Sequence, residues 1–386
     1  MKKNKKNVLN IFDELFMKKA LTLAENGRGF TSPNPLVGCV IVKENKIIGE
    51  GYHHKFGNPH AEIEAINNAL SLGNNIEGSC LYVNLEPCSH YGKTPPCAER
   101  LVKEKISRVV IGMRDPNQLV NGKGINILRN ANIEVTESCL ENESKWLNRG
   151  FVRVHTLKRP WITLKAASSL DGKLSVSNGE SKWITNEKSR TLAHALRAEN
   201  DAVLIGVKTV LKDNPELTVR YVKGNNPKRI ILDRDLLTPV DAKIINSDGK
   251  CIIFTDDKPP KEKVKILEDK GVKIIKTECD ETPPMRSGEL GNILLKPVLE
   301  YLALKEGILN LMVEGGARVL NSFIKENLAD YMKIFFAPKI LGKGVNFGDG
   351  MILDSVNDAP ALTDVKTQTL DDNILIEGRF KCSQDL

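Results

Sequence analysis

Apolar and polar positions alternate along this chain in short blocks, and the period of each block indicates the element it builds. Phe12 to Ala24 sets Phe12, Leu15, Phe16, Leu21 and Leu23 against outward Lys18, Lys19 and Glu25, the spacing of an amphipathic helix that Gly27 and Gly29 end. The next loop, Thr31-Ser32-Pro33-Asn34-Pro35, is stiff, because each proline fixes its own φ and restrains the residue before it. Leu36 to Val42 reads as a buried strand, with Lys46 to Gly51 as its hairpin partner across Glu44-Asn45. A helix over 60–72 follows, packing through Ala61, Ile63, Ala65, Ile66, Ala69 and Leu70. After an apolar strand at Leu81 to Val83 come a helix over Ala98 to Lys105, a strand over Arg108 to Gly112, a Gly122/Gly124 turn, a helix over Ile125 to Asn130 and a strand over Ile133 to Thr136. This alternation predicts a layered α/β/α domain.

The helical pattern fades between Leu147 and Lys158, and Arg159-Pro160-Trp161 opens a fresh strand over Ile162 to Ala166. A boundary near residue 157 follows, giving domains 1–157 and 158–386 without a low-complexity linker or an internal repeat. In the second half, strands are expected at Ala202 to Gly206, Arg229 to Leu232, Cys251 to Thr255, Lys273 to Lys276, Leu309 to Val313, Met332 to Pro338 and Ile374 to Phe380. Helices such as Glu187 to Ala198 lie between them, so this half is again a wound α/β domain.

Length supports the division, since 386 residues exceed what one compact core usually organises. With 41% hydrophobic and 27% charged residues, the composition is that of a soluble globular protein. A net charge of +7 favours an anionic substrate and is too diffuse to announce nucleic-acid binding. The lysine-rich start, Met1 to Lys6, is followed by a segment broken by Asn10, Asp13 and Glu14, so no signal sequence is expected. Apolar runs such as Leu36 to Val42 fall far short of the ~20 residues that cross a bilayer. A cytoplasmic protein without membrane or nucleic-acid partners is expected, and its eight irregularly spaced cysteines fit reduced thiols.

The densest chemistry lies between His60 and Cys97. His60-Ala61-Glu62 opens a helix, and Glu86-Pro87-Cys88 and Cys97 supply two thiols. One imidazole and two thiolates give three ligands of a tetrahedral Zn²⁺ and leave the fourth position for water, the pattern of a catalytic site. Glu62 stands two residues from His60, placed to shuttle protons as the carboxylate of zinc nucleobase deaminases does. Cysteines serving as buried small hydrophobes are the plain alternative, and the order His-x-Glu, apolar strand, Pro-Cys speaks against it. The deaminase signature has Pro-Cys-x-x-Cys. Here Cys97 follows Cys88 by nine positions, so a loop carrying His90 and Lys93 separates the ligands.

That insertion, Cys-Ser-His-Tyr-Gly-Lys-Thr-Pro-Pro-Cys, resembles the bifunctional deaminase-reductases of riboflavin biosynthesis, and the resemblance covers nearly the whole chain. It implies a cytidine-deaminase-like domain followed by a dihydrofolate-reductase-like one. It also implies His60, Cys88 and Cys97 as zinc ligands, Glu62 as proton shuttle, and Asn34, His53, His90 and Lys93 as contacts of a phosphorylated pyrimidine.

In the second half, Glu314-Gly315-Gly316-Ala317 lies between a strand and the helix Arg318 to Lys325, where a phosphate can approach amides at a helix N-terminus. Read alone it is either a plain turn or a nucleotide cradle, and it lacks the G-x-G-x-x-G fingerprint. Together with Lys165 to Lys173, Gly179 to Thr185 and Asp213 to Arg220, it is similar to the reductase half of the same family. The resemblance implies NADPH, with cofactor contacts at Ala167, Trp183, Thr209, Asp213, Gly316, Ala317, Arg318, Val319, Leu320, Asn321 and Ser322. It implies substrate contacts at Ser181, Arg197, Leu217, Arg220 and Glu314. Lys165, Asp213 and Glu314 are groups able to orient the sugar and pass a proton, and Lys165 and Glu314 are the expected catalytic pair. Arg197 and Arg220 suit a sugar phosphate. Where the family often has Ser after the Asp that ends a strand, Arg234 follows Asp233 here.

The expected function is therefore zinc-dependent deamination of a phosphoribosylated diaminopyrimidine followed by NADPH-dependent reduction of its ribosyl group, in an enzyme expected to form homo-oligomers. A nucleic-acid base deaminase with a C-terminal binding module would instead carry Cys-x-x-Cys, clustered basic residues and interleaved aromatics, whereas aromatics are 5% of this chain. A zinc-stabilised interaction protein would need a fourth protein ligand.

Overall fold

The structure is a computed structural model that describes residues 11–89, 91, 95–118, 120–246, 248–279 and 293–381. It divides into two compact units, one running up to Leu157 and the other starting at Lys158.

The first unit runs α1 (Ile11–Glu25), β1 (Gly38–Lys43), β2 (Lys46–Tyr52), α2 (Ala61–Ser71), β3 (Cys80–Leu85), α3 (Cys97–Lys103), β4 (Arg108–Met113), α4 (Lys123–Asn130), β5 (Glu134–Thr136), α5 (Glu141–Leu147) and α6 (Arg149–Leu157). Its sheet has the order β2-β1-β3-β4-β5, antiparallel through β2, β1 and β3 and parallel from β3 to β5. Successive strand residues face opposite ways. Thus Cys39, Ile41, Leu81, Val83, Val109 and Ile111 pack with the apolar faces of α2, α3 and α4. Val40, Val42, Tyr82 and Val110 meet Phe16, Met17 and Ala20 of α1. The expected three-layer sandwich is present, and the stretch 149–157, where the helical pattern fades, is the helix α6.

Small residues set how closely the helices approach. A Cβ on Gly51 would lie 2.3 Å from the Ala65 amide nitrogen and 2.7 Å from the Ala61 carbonyl oxygen. One on Gly49 would meet the Ala65 carbonyl at 2.6 Å. β2 therefore lets the first turns of α2 lie almost on the strand backbone.

The second unit contains β6 (Trp161–Ser169), β7 (Lys173–Val176), α7 (Glu187–Glu199), β8 (Ala202–Gly206), α8 (Val207–Asp213), β9 (Lys228–Leu232), β10 (Cys251–Thr255), α9 (Lys261–Asp269), β11 (Lys273–Lys276), α10 (Leu295–Leu304), β12 (Asn310–Val313), α11 (Ala317–Lys325), β13 (Tyr331–Ala337), β14 (Gly344–Asn346), β15 (Leu362–Leu370) and β16 (Asn373–Phe380). Its nine-stranded sheet has the order β11-β10-β9-β8-β12-β6-β13-β16-β15, parallel from β11 to β13, with β16 and β15 added antiparallel. Alternate residues again serve opposite cores. Leu204, Ile230, Phe254, Leu311 and Val313 face one, while Val203, Ile205, Ile231, Ile253 and Met312 face the other. β15 and the β7/β14 pair are absent from the sequence expectation. β15 is mostly exposed and reads Thr-Asp-Val-Lys-Thr-Gln-Thr, so burial left no apolar run to find.

Among the described residues, no helix is long and apolar enough to cross a membrane. Because the Gly51 contacts are with backbone that cannot move aside, Gly51→Ala is expected to destabilise the protein by about 1–3 kcal/mol in urea unfolding. An unchanged midpoint would contradict the close strand–helix approach.

Candidate active sites

His60 is the N-cap of α2, with extended backbone, and Cys97 is the first residue of α3. Cys88 sits in the loop after β3, which Glu86 anchors. The Glu86 side chain is buried and accepts backbone N–H groups from Asp115 (3.3 Å), Gly122 (3.0 Å), Gly124 (3.0 Å) and Ile125 (3.3 Å). Gly124 lies so close that an added Cβ would be 2.0 Å from the Pro87 carbonyl oxygen. The chain on either side of Pro87 is thereby pinned against the N-terminus of α4.

The possible ligand atoms of His60, Cys88 and Cys97 all lie within 4.8 Å of one another. Nδ1 of His60 is 3.6 Å from Cys88 Sγ and 3.3 Å from Cys97 Sγ. A tetrahedral zinc ion implies about 3.6 Å between nitrogen and sulfur ligands. The donor set therefore fits zinc, with Nδ1 as the histidine ligand. The amide of Cys97 donates to Cys88 Sγ at 3.2 Å. Hydrogen bonding by Cys97, with that of His60 added, holds the Cys88 thiol down at about 4, against burial. The hydrogen bond to Cys88, together with burial, pushes Cys97 up. A dication between the two thiols would favour both as thiolates.

Glu62 is 4% exposed, and burial, reinforced by the negative charge of Cys88, raises it to about 7. It lies beside the ligand cluster as a carboxyl group balanced between its two protonation states. His53 is 2% exposed and fully engaged: Nδ1 lies 3.0 Å from the Pro59 carbonyl oxygen and Nε2 lies 3.0 Å from Asn34 Nδ2. Only a protonated Nδ1 can bond a carbonyl, so Nε2 accepts from the Asn34 amide. As the structure stands, His53 has no nitrogen left for a pyrimidine, and its side chain orients Asn34. The positions of His90 and Lys93 lie outside the described residues.

In the second unit, Lys165 in the middle of β6, Glu314 directly after β12 and Arg197 of α7 come together, while Thr209 of α8 lies beside Gly316 at the start of α11. The Glu314 carboxylate takes a two-point grip from Arg197, Nε to Oε1 at 2.6 Å and Nη2 to Oε2 at 2.9 Å, and Lys165 Nζ lies 3.5 Å from Oε2. Burial raises the Glu314 carboxyl, but the two cations outweigh it and bring the group to about 2. Burial lowers the Lys165 ammonium. Arg197 is thus not the free phosphate clamp that its residue type suggested, because two of its three nitrogens are committed to Glu314. Arg220 is exposed and pairs with Glu216 at 2.6 Å.

The turn after β12 is open. A Cβ on Gly316 would meet only Thr209 Oγ1, at 3.9 Å, whereas Gly315 and Gly206 make room for Val319. Gly316 and Arg318 are exposed at the start of α11. Ala317, Leu320 and Asn321 are buried, and Asn321 donates to the Asp349 carbonyl at 2.7 Å. Ser322 is half-buried and bonds within its own helix, to the Arg318 carbonyl at 3.0 Å. Leu217 also turns its side chain into the core, as does Leu320, so each has only backbone to offer a ligand. Trp183 is 61% exposed, with the Arg190 guanidinium 4.8 Å from its ring centre. Ser181 donates to Asp213 at 3.4 Å, and Ala167 is half-buried on β6. The exposed aromatic face of Trp183 and the open helix start two residues after Glu314 are features that fit a nicotinamide cofactor. Arg234 pairs with Asp256 at 3.3 Å and helps line a cleft of about 760 Å³ with Lys258, Lys276 and Tyr301.

The expectations of the sequence omitted Glu86 and His194. Glu86 precedes the Pro-Cys pair directly, and its position in that motif was the available signal, whereas His194 belongs to no such motif.

Comparison with known proteins agrees with both sites. Residues 11–113 match the family model described as the cytidine and deoxycytidylate deaminase zinc-binding region, and residues 160–376 match the RibD C-terminal domain. The riboflavin biosynthesis protein RibD of Aquifex aeolicus is 45% identical over 94% of this chain and 97% of its own length. A solved Thermotoga maritima structure, titled a diaminohydroxyphosphoribosylaminopyrimidine deaminase/5-amino-6-(5-phosphoribosylamino)uracil reductase, superposes with a TM-score of 0.82 at 39% identity, covering 96% of this chain and 99% of that one. An Acinetobacter baumannii RibD structure gives 0.84 at 36% identity, with the same coverage. The chain belongs to the RibD family of riboflavin biosynthesis and is a bifunctional deaminase and reductase whose deaminase site takes zinc.

Proposed function

We propose that the unit ending at Leu157 removes the exocyclic amine of a phosphoribosylated diaminopyrimidine, and that the unit from Lys158 reduces the ribosyl group of the product to ribityl. The observation that carries the reading is the convergence of His60, Cys88 and Cys97 beside a buried Glu62 that is not part of the ligand set.

Zinc held by this triad supplies acidity, bringing the pKa of water to about 7. Glu62 accepts a proton from the attacking water and returns it to the departing amine, a task suited to a group that titrates at about 7. Asn34, held through its Nδ2 by His53, offers its Oδ1 to a donor on the ring. His90 and Lys93, on the long loop between the thiols, contribute charge and hydrogen bonds to the ribose phosphate.

In the second unit, NADPH supplies the hydride. Trp183 and the open start of α11 hold the cofactor, with Ala167, Thr209 and Asp213 alongside. Lys165, buried next to Glu314, delivers the accompanying proton to the sugar oxygen. Glu314 keeps Lys165 and Arg197 in place, and Ser181, Arg220 and the backbone at Leu217 complete the sugar site. Deamination and reduction use different residues, so the two activities are separable. The reaction is that of a cytoplasmic biosynthetic enzyme.

Glu62→Gln is expected to keep its zinc and to lose about 100-fold or more of its ammonia release, while oxidation of NADPH with the deaminated substrate stays unchanged. A fully active Glu62→Gln protein would rule out the shuttle. Lys165→Met should lower NADPH oxidation by a comparable factor and leave ammonia release intact; loss of both activities, or of deamination alone, would sink the two-site assignment. A chelator should abolish ammonia release and spare NADPH consumption on deaminated substrate, and equal loss of both would contradict the placement of the metal.

A further inference from the structure

His194 lies on α7, three residues before Arg197, and is 4% exposed, with the Tyr221 ring tilted against it at 4.4 Å between centres. The backbone N–H of Arg220 donates to its Nδ1 at 3.0 Å. An amide nitrogen can only donate, so Nδ1 carries no proton. Burial, with the charges of Arg197 and Arg220 added, lowers the ring to about 4, and the neutral imidazole keeps its one proton on Nε2.

That Nε2 faces Arg197 Nη1 at 3.5 Å, where two donors meet and no bond is possible. The other two nitrogens of Arg197 are taken by Glu314, and Nη1 has only a long 3.5 Å approach to the Thr218 carbonyl. The N–H of buried His194 and that of half-buried Arg197 therefore converge with no acceptor between them, and the Thr218 carbonyl, 3.5 Å from Nη1, is the one acceptor recorded for either. Buried donors rarely stay unpaired in a finished structure, so the arrangement calls for an acceptor that arrives with a ligand.

We propose that His194 is a substrate-binding residue of the reductase site: its Nε2–H and the Nη1–H of Arg197 together grip one anionic oxygen of the sugar phosphate, while its Nδ1 fixes the segment carrying Arg220. This rests on the reading above that Arg197 and Arg220 face the substrate.

Two substitutions separate the two ring nitrogens. His194→Asn keeps an acceptor where Nδ1 stood and deletes the Nε2 donor; His194→Gln places an amide donor near Nε2 and deletes the acceptor. Measured on the full-length protein with the deaminated, phosphorylated substrate, His194→Asn should raise the KM for substrate at least tenfold with little change in kcat or in the KM for NADPH. His194→Gln should stay within about threefold of the parent, a smaller effect than loss of a charge-assisted hydrogen bond. Deamination by the other unit serves as the folding control.

The opposite ranking would reduce the ring to a scaffold for Arg220 and overturn the proposal, as would two variants with unchanged KM. Arg220→Gln distinguishes the levels: if it too leaves the KM unchanged, the placement of the sugar site itself is wrong. If neither His194 variant folds, nitrogen-15 spectra of the parent protein titrated with inorganic phosphate decide. A downfield shift of the His194 Nε2–H supports the contact, and an unmoved resonance refutes it.

Discussion

The first unit depends on bringing three ligands from two separate loops to one point without a protein group filling the fourth side. Two helix starts accomplish this. His60 caps α2 and Cys97 begins α3, so both ligands stand where backbone N–H groups and the helix dipole favour negative charge. The glycines of β2 let α2 lie close to the sheet, and Glu86 pins the loop that carries Cys88. Because the same first turn of α2 carries Glu62 inward, the position of the proton shuttle is fixed by the packing that fixes the metal ligand.

The second unit solves a different problem, that of burying charge. Lys165, Arg197 and Glu314 form a cluster in which one carboxylate serves two cations, so the site keeps one positive charge in excess. That excess suits a phosphorylated sugar. Burial, with the charges of the two arginines added, also keeps His194 neutral, so that toward the substrate it acts as a hydrogen-bond donor. The open turn at Gly316 lies at the C-terminal edge of the parallel strands, where doubly wound sheets bind their ligands.

Much of this was legible in the sequence because the relevant signals are local. Cys39, Ile41, Leu81, Val83, Val109 and Ile111 form runs whose parity survives into the fold, and His60-x-Glu62 with Pro87-Cys88 needs no tertiary knowledge to suggest a metal. What escaped notice depends on partners distant in sequence. Arg197 looked like a free phosphate ligand until Glu314, 117 positions away, claimed two of its nitrogens. His53 looked like a substrate contact until Pro59 and Asn34 occupied its ring. His194 gave no signal at all, since a histidine on the buried side of an amphipathic helix is indistinguishable from a packing residue until the Arg220 amide fixes its tautomer. β15 was missed for the opposite reason: an edge strand with an exposed polar face has no alternation to read.

X-ray absorption at the zinc edge of the purified full-length protein tests the central claim most directly. The account predicts one zinc per chain with two sulfur neighbours at about 2.3 Å and two lighter neighbours at about 2.0 Å, one of them an exchangeable water. A shell of four protein ligands, or one with fewer than two sulfurs, would contradict an open catalytic ion at His60, Cys88 and Cys97.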